Sequence, residues 1–270
     1  MEKWFNTMGV CVPEEHYMVD ISNKLKEIKR MVDRKFYFTI NRGRQYGKTT
    51  TLSELRKMLM SEYIVISLNF QGLGDSAFKD EESFCQEFLN SASDMLELSS
   101  QSEGWKNKNV KNFADFNRHL SRVCKDKKIV LMIDEVDQAS NHRIFINFLD
   151  LLRTKYQNRA QGLDYTFHSV ILVGVYDIKN IKLKMIQEGN HTLAHGESQE
   201  NSPWNIAKQF KVEMAFSAEE IATMLQEYES YNQTGMDIQG IAQEIYYYTN
   251  GYPVLVTSIC RYLDEDFDGQ

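Results

Sequence analysis

Three prolines in 270 residues is few. Proline interrupts helices and central strands, so this chain, which also lacks any long low-complexity tract, is expected to be ordered over most of its length. Cysteine is scarce as well. Cys11, Cys85, Cys124 and Cys260 are scattered without C-x-x-C spacing, which argues against a zinc or disulfide framework and predicts free thiols in a reducing compartment. No apolar run approaches the ~20 residues of a membrane-spanning helix. The opening MEKWFNTMGV lacks the continuous apolar core and small-residue cleavage site of a signal peptide. A soluble, cytoplasmic protein with no membrane partner is expected. Excess positive charge is also missing: 31 Lys and Arg against 38 Asp and Glu leave a net charge of −7. Bulk electrostatics therefore does not hold this chain to nucleic acid, though a local patch remains open. The basic clusters at 24–35 and 125–128 read most simply as solvated faces, with a phosphate-contact surface as the alternative.

What is present is enough for a core: 42% hydrophobic and 12% aromatic residues. Strands and helices alternate along the chain. Ile21, Leu25, Ile28 and Val32 recur at helical spacing. FYFTI (36–40) reads as a strand, KTTTLSELRKMLM as a helix, YIVISLNF (63–70) as a second strand, and 81–98 as an acidic helix. The polar stretch 99–111 reads as a loop or insertion. A helix over 113–124 leads to the strand KIVLMIDE (128–135), then to a helix RIFINFLDLLRTKY and the strand FHSVILVGVYD (167–177). A polar segment over 187–203 interrupts the pattern. FKVEMAF (210–216) alternates like a fifth strand, and Ser217-Ala218-Glu219-Glu220 has the form of a capping box before a helical C-terminal region. Such alternation implies a mostly parallel sheet covered on both faces.

One absence sits inside a motif. FYFTINRGRQYGKTTTL ends a strand and opens a helix as G-x-x-x-x-G-K-[ST] does, but Arg42 stands where the first glycine belongs, with Gly43 one residue late. The backbone N–H groups of Arg44, Gln45, Tyr46, Gly47, Lys48, Thr49 and Thr50 would curl around an anion at the helix N-terminus. Lys48 would reach the β- and γ-phosphates and Thr49 would ligate Mg²⁺. The first glycine mainly relaxes the loop entrance, so it is the most replaceable element. Arg42 and Arg44 either add charge near phosphate or are solvated.

A second motif gives the first its meaning. KIVLMIDEVDQ is an apolar strand ending in Asp134-Glu135, a Walker B form. Mg²⁺ is a hard cation held by a carboxylate, directly or through water, which suits Asp134. Glu135, one residue later, suits activation of the water that attacks the γ-phosphate. Small-molecule kinases do not need that glutamate. Helicases share the DEVD letters but generally need two such lobes. The i, i+4 pair His191 and His195 lies in a polar segment without a metal motif, and no G-x-S-x-G is present.

At these residues the chain resembles the AAA-like and STAND-type P-loop ATPases of prokaryotes, the additional-strand class with archaeal-type relatives. The form R-x-R-x-x-G-K-[ST] is matched at Arg42, Arg44, Gly47, Lys48 and Thr49, and a G-x-P element at Gly251-Tyr252-Pro253. The resemblance implies a three-layer α/β/α P-loop NTPase core over 1–216, with a mostly parallel five-stranded sheet, and a helical lid over 217–270. It implies SVILVGVYD as the strand between the phosphate-loop and Walker B strands, and a sensor residue at its tip, Tyr176 or Asp177. Gly251, Pro253 and Arg261 become lid contacts, Tyr17 an adenine contact, and Arg143, Arg153 or Arg159 an arginine finger. ATP with Mg²⁺ is the implied ligand.

Two functions follow. One is a Mg²⁺-dependent ATPase whose lid closes on nucleotide. The other is a nucleotide-gated switch with little turnover, acting through self-association or a partner effector, with nucleic-acid or defence roles resting on analogy. No effector domain is read in the chain, so the sequence is compatible with the front portion of a longer product.

Overall fold

Aliphatic and β-branched side chains fill four of the expected strands, and a computed structural model shows them as one sheet. The structure describes residues 3–98, 100–140, 142–175, 208–209 and 213–267. Two compact units partition the chain. A sheet unit takes Lys29–Asn41 and Arg56–Phe210; a helical unit takes Met1–Ile28, Arg42–Leu55 and Lys211–Gln270.

In the sheet unit, β1 (Tyr37–Asn41), β2 (Ile64–Asn69), β3 (Ile129–Asp134), β4 (Ser169–Gly174) and the two-residue β5 (Lys208–Gln209) are ordered β2-β3-β4-β1-β5. All pairings are parallel, so all strands end at the same edge. β4 lies between β1 and β3, as expected for the inserted strand. Every residue of β3 and β4 is buried, those facing either side of the sheet alike, as a sheet covered on both faces requires. Register lines up one row of side chains, Ile66, Leu131, Val170 and Tyr37, and a second of Leu68, Ile133 and Leu172. Both rows pack into a core with residues of α3 (Glu81–Glu97), α4 (Phe113–Val123) and α5 (Arg143–Ala160).

The stretch over 100–111 forms turns, but it is not a bland surface loop. Trp105 and Val110 are buried, and the Trp105 carbonyl lies 3.2 Å from Nε2 of His119. Of the strand expected over 210–216, Glu213–Phe216 has no regular structure and 210–212 lie outside the described residues; the fifth strand of the sheet is β5. Glu213 turns its carboxylate back onto the N–H groups of Met214 and Ala215, and the Phe216 N–H goes to Gly251. Local side-chain acceptors have displaced the ladder there. The segment 187–203 lies outside the described residues.

Helix α1 (Ser22–Asp33) precedes β1, and α2 (Lys48–Leu59) follows it, close to the limits expected for KTTTLSELRKMLM. In the helical unit follow α6 (Ala218–Asn232), α7 (Ile238–Thr249) and α8 (Pro253–Phe267). The capping box forms: Ser217 Oγ accepts from the Glu220 N–H and Glu220 from the Ser217 N–H. Pro253 opens α8, where its missing N–H costs nothing. Phe5, Tyr17 and Val19 of the N-terminal segment share a core with Ile221, Leu225, Tyr228, Ala242 and Val256. Polar ties fix that segment: Lys3 pairs with Glu227, and the Asp20 N–H donates to Thr223 Oγ1 at 2.8 Å. Among the described residues no helix is long and apolar enough to cross a membrane.

Candidate functional site

The loop between β1 and α2 has the curl its sequence promises, and it explains the misplaced glycine. Gln45 (φ 61°) and Gly47 (φ 67°) occupy the left-handed region, whereas Arg42 and Gly43 do not. The position where the motif usually has glycine therefore makes no conformational demand here. Arg42 instead lies 3.9 Å from the Glu213 carboxylate. The Glu213 pKa lies below the ordinary carboxylate value, chiefly because the Ala215 N–H donates to it, with the Arg42 charge adding to the effect. Lys48 is buried, and its ammonium donates to the carbonyls of Arg42 (3.1 Å) and Gly43 (2.8 Å). Thr51 closes the first turn of α2 by donating from both N–H and hydroxyl to Gly47 O. The N–H groups ahead of it face the helix N-terminus, where the macrodipole favours an anion.

Within the helical unit a cavity of about 360 Å³ opens beside this helix start. Gln45, Tyr46, Gly47 and Thr50 line one side; Met18, Val19, Met214 and Phe216 supply apolar surface. Its size and mixed lining suit a small organic ligand with an apolar ring. Tyr17 lines it as well; it is buried in the core, and its hydroxyl accepts from Asn232 Nδ2 at 3.2 Å. Cys11 lines it too. Its N–H donates to Thr50 Oγ1 at 3.2 Å, and burial pushes the thiol above its ordinary pKa, leaving it neutral. Lys24, also on the wall, is held by Glu220 (2.6 Å) and the Ala215 carbonyl (2.8 Å).

In the sheet unit the Walker B residues stand at the strand-end edge. Asp134 is the buried last residue of β3 and accepts from the Glu135 N–H at 2.9 Å. Glu135 leaves the strand in the left-handed conformation, φ 53°, and opens a short 3₁₀ turn over Val136–Ala139. In that turn Asp137 accepts from the Val175 N–H at the end of β4. A Cβ on Gly174 would come within 2.7 Å of the Asp137 carboxylate, so a larger residue there would displace that side chain.

Other expectations separate. Thr49 is exposed at the second position of α2. Gly251 (φ 69°) is needed twice over, since a Cβ would lie 1.9 Å from Phe216 O; Pro253 lines the cavity. Arg261 donates to Thr7 Oγ1 at 2.9 Å and pairs loosely with Glu265. Arg159 donates to the carbonyls of Lys35, Phe167 and His168. Tyr176, Asp177, His191 and His195 lie outside the described residues. Sequence reasoning missed Tyr252, whose hydroxyl donates to Arg44 O at 2.7 Å, and the wall residues of segment 6–11. For Tyr252 the signal was at hand, a polar aromatic between the two residues singled out. For 6–11 there was none.

Among the described residues no group of three or more His, Cys, Asp or Glu could hold a metal. Mg²⁺ needs no such cage: a carboxylate or a hydroxyl, together with water and phosphate, offers the hard oxygens it takes.

Comparison with curated proteins by sequence gives no match. Among solved structures, the Walker-type ATPase PABY2304 of Pyrococcus abyssi superposes with a TM-score of 0.63 at 14% identity, over 97% of this chain and 72% of that one. The Orc1 protein of Aeropyrum pernix in complex with DNA gives 0.48 at 11% identity, over 93% of this chain and 61% of that one. At such identity the first likeness is one of fold, and the second carries no argument. A strand order with β4 inserted between the phosphate-loop strand and the Walker B strand agrees with the family whose model, an AAA-like domain, matches residues 24–266, and the chain belongs to that family.

Proposed function

We propose that the protein is a Mg²⁺-dependent ATPase. The observation that carries this reading is the phosphate loop: a left-handed turn at Gln45 and Gly47 leading into α2, with Lys48 buried against the carbonyls of Arg42 and Gly43. An ammonium has three N–H donors, so two taken by the loop leave one for a phosphate oxygen. The backbone N–H groups from Arg44 to Thr50 supply the remaining donors to the anion, and the neighbouring cavity suits the base, with Tyr17 at its wall.

Thr49 and Asp134 are the proposed Mg²⁺ ligands. When bound, the ion draws charge from the β- and γ-phosphate oxygens. Glu135 takes the proton of the attacking water at its carboxylate. Tyr176 or Asp177 remains the proposed sensor, and the segment 217–270, with Gly251, Pro253 and Arg261, the proposed lid. The cysteines recorded as free thiols suit a reducing cytoplasm.

The test is ATP binding and Mg²⁺-dependent hydrolysis by the wild type beside Lys48→Ala and Glu135→Gln. Lys48→Ala should lose both. Glu135→Gln should keep binding and lose turnover by about 10²-fold or more. A wild type that binds without turning over would replace the enzyme by a nucleotide-gated switch acting on a second copy or an effector protein. A wild type that binds no nucleotide would end both readings.

A further inference from the structure

Tyr252, the middle residue of Gly251-Tyr252-Pro253, touches the phosphate loop in two ways. Its hydroxyl donates to Arg44 O at 2.7 Å, and its ring packs on Tyr46 with centroids 4.7 Å apart. The Tyr46 ring in turn lies over Gly43, where a Cβ would come to 3.4 Å of it.

Tyr252 is fixed from behind. Its N–H goes to Thr249 O at 3.0 Å, and its carbonyl accepts from Leu255 and Val256 at 3.0 Å, as the residue just before α8. The preceding Gly251 is pinned by its carbonyl to the Phe216 N–H at 2.8 Å. The backbone that carries this side chain is therefore part of the α7–α8 turn.

The consequence lies in the Arg44–Gln45 peptide. The described chain has no cis peptide bond, and in a trans peptide the C=O and the next N–H point opposite ways. The two preceding carbonyls, of Arg42 and Gly43, turn to Lys48, while that of Arg44 turns to Tyr252. Holding this carbonyl holds the Gln45 N–H in the opposite direction, away from Tyr252. The left-handed φ of Gln45 is sparsely populated for a side-chain-bearing residue, so an external tie at that peptide has something to hold.

We propose that Tyr252 is a positioning residue: it fixes the Arg44–Gln45 peptide so that the Gln45 N–H serves as a phosphate donor, and thereby makes nucleotide affinity depend on the α7–α8 turn. This rests on the nucleotide-binding reading above. It gives the loop a second source of order beside its glycine, supplied by the helical region.

The experiment measures displacement of a fluorescent nucleotide by ATP and by adenosine from the wild type, Tyr252→Phe and Tyr252→Ala, with circular dichroism as a check on folding. Tyr252→Phe keeps the ring on Tyr46 and removes only the hydroxyl. It should weaken ATP by about 3- to 10-fold, the worth of one hydrogen bond, and leave adenosine, which has no phosphate, unchanged. Tyr252→Ala should weaken ATP further. Unchanged ATP affinity in Tyr252→Phe, or equal losses for ATP and adenosine, would overturn the proposal while leaving the ATPase reading standing. A wild type that binds neither ligand would remove that reading and this one together.

Discussion

The two units are held together by different means. The sheet unit is saturated with apolar contact: Phe148 alone has Phe84, Phe88, Phe116 and Phe145 as ring neighbours, with centroids 5.1 to 6.3 Å away. The helical unit has a smaller core and is fastened by directional polar ties, among them Lys24 to Glu220, Lys3 to Glu227 and the Tyr228 hydroxyl to Asp264. The cavity beside the β1–α2 loop belongs to the second, where caps, ion pairs and hydroxyls hold backbone around an open space.

The strongest way to break this contrast is Phe148→Ala. It removes a fully buried ring among four others and should cost about 3–5 kcal/mol of stability, read by urea unfolding. A loss under about 2 kcal/mol would mean that the sheet unit is not packed as described. A smaller and more local effect is expected from Gly251→Ala. The left-handed φ alone costs about 1–2 kcal/mol, and the added Cβ meets Phe216 O. Hydrogen exchange should quicken in α6 and α7 while the amides of β3 stay protected. Uniform loss across both would show that the two units do not open separately.

The smallest effect is a pH dependence in the sheet unit. Burial, helped by the charges of Arg159 and Lys35, lowers the His168 pKa to about 4, and its Nε2 is buried without a hydrogen-bond partner among the described residues. An unfolded histidine titrates near 6.5. Between about pH 6.5 and 4 the unfolded chain therefore takes up a proton that the folded one refuses, and stability falls as the pH falls; above that window His168 contributes no slope. His168→Gln should flatten the stability profile in this window. An unchanged slope would assign it to other groups.

Much of the sheet unit was legible because its signals are local. IVLMI (129–133) is apolar at every inward and outward position, as suits a central strand covered on both faces. Ser217 and Glu220 announced α6 by a pattern four residues long. In FKVEMAF the alternation misled for 213–216, because alternation describes side chains, while the backbone of Met214, Ala215 and Phe216 has partners in Glu213 and Gly251. Arg42 looked like a defect because the motif is written in letters; the left-handed dihedrals show that the demanding positions are 45 and 47.

By itself the sequence determined the order of the first four strands and the helices between them, the curl at 42–49, the Asp134-Glu135 strand end and the turn at Gly251. Each is set by periodicity, propensity or chemistry within about ten residues of chain. Only the tertiary structure decided that segment 6–11 walls a cavity, that Arg261 serves Thr7, and that Tyr252 takes hold of Arg44, 208 positions away in the chain. Such pairings depend on which surfaces folding brings within hydrogen-bond distance. No local pattern encodes that.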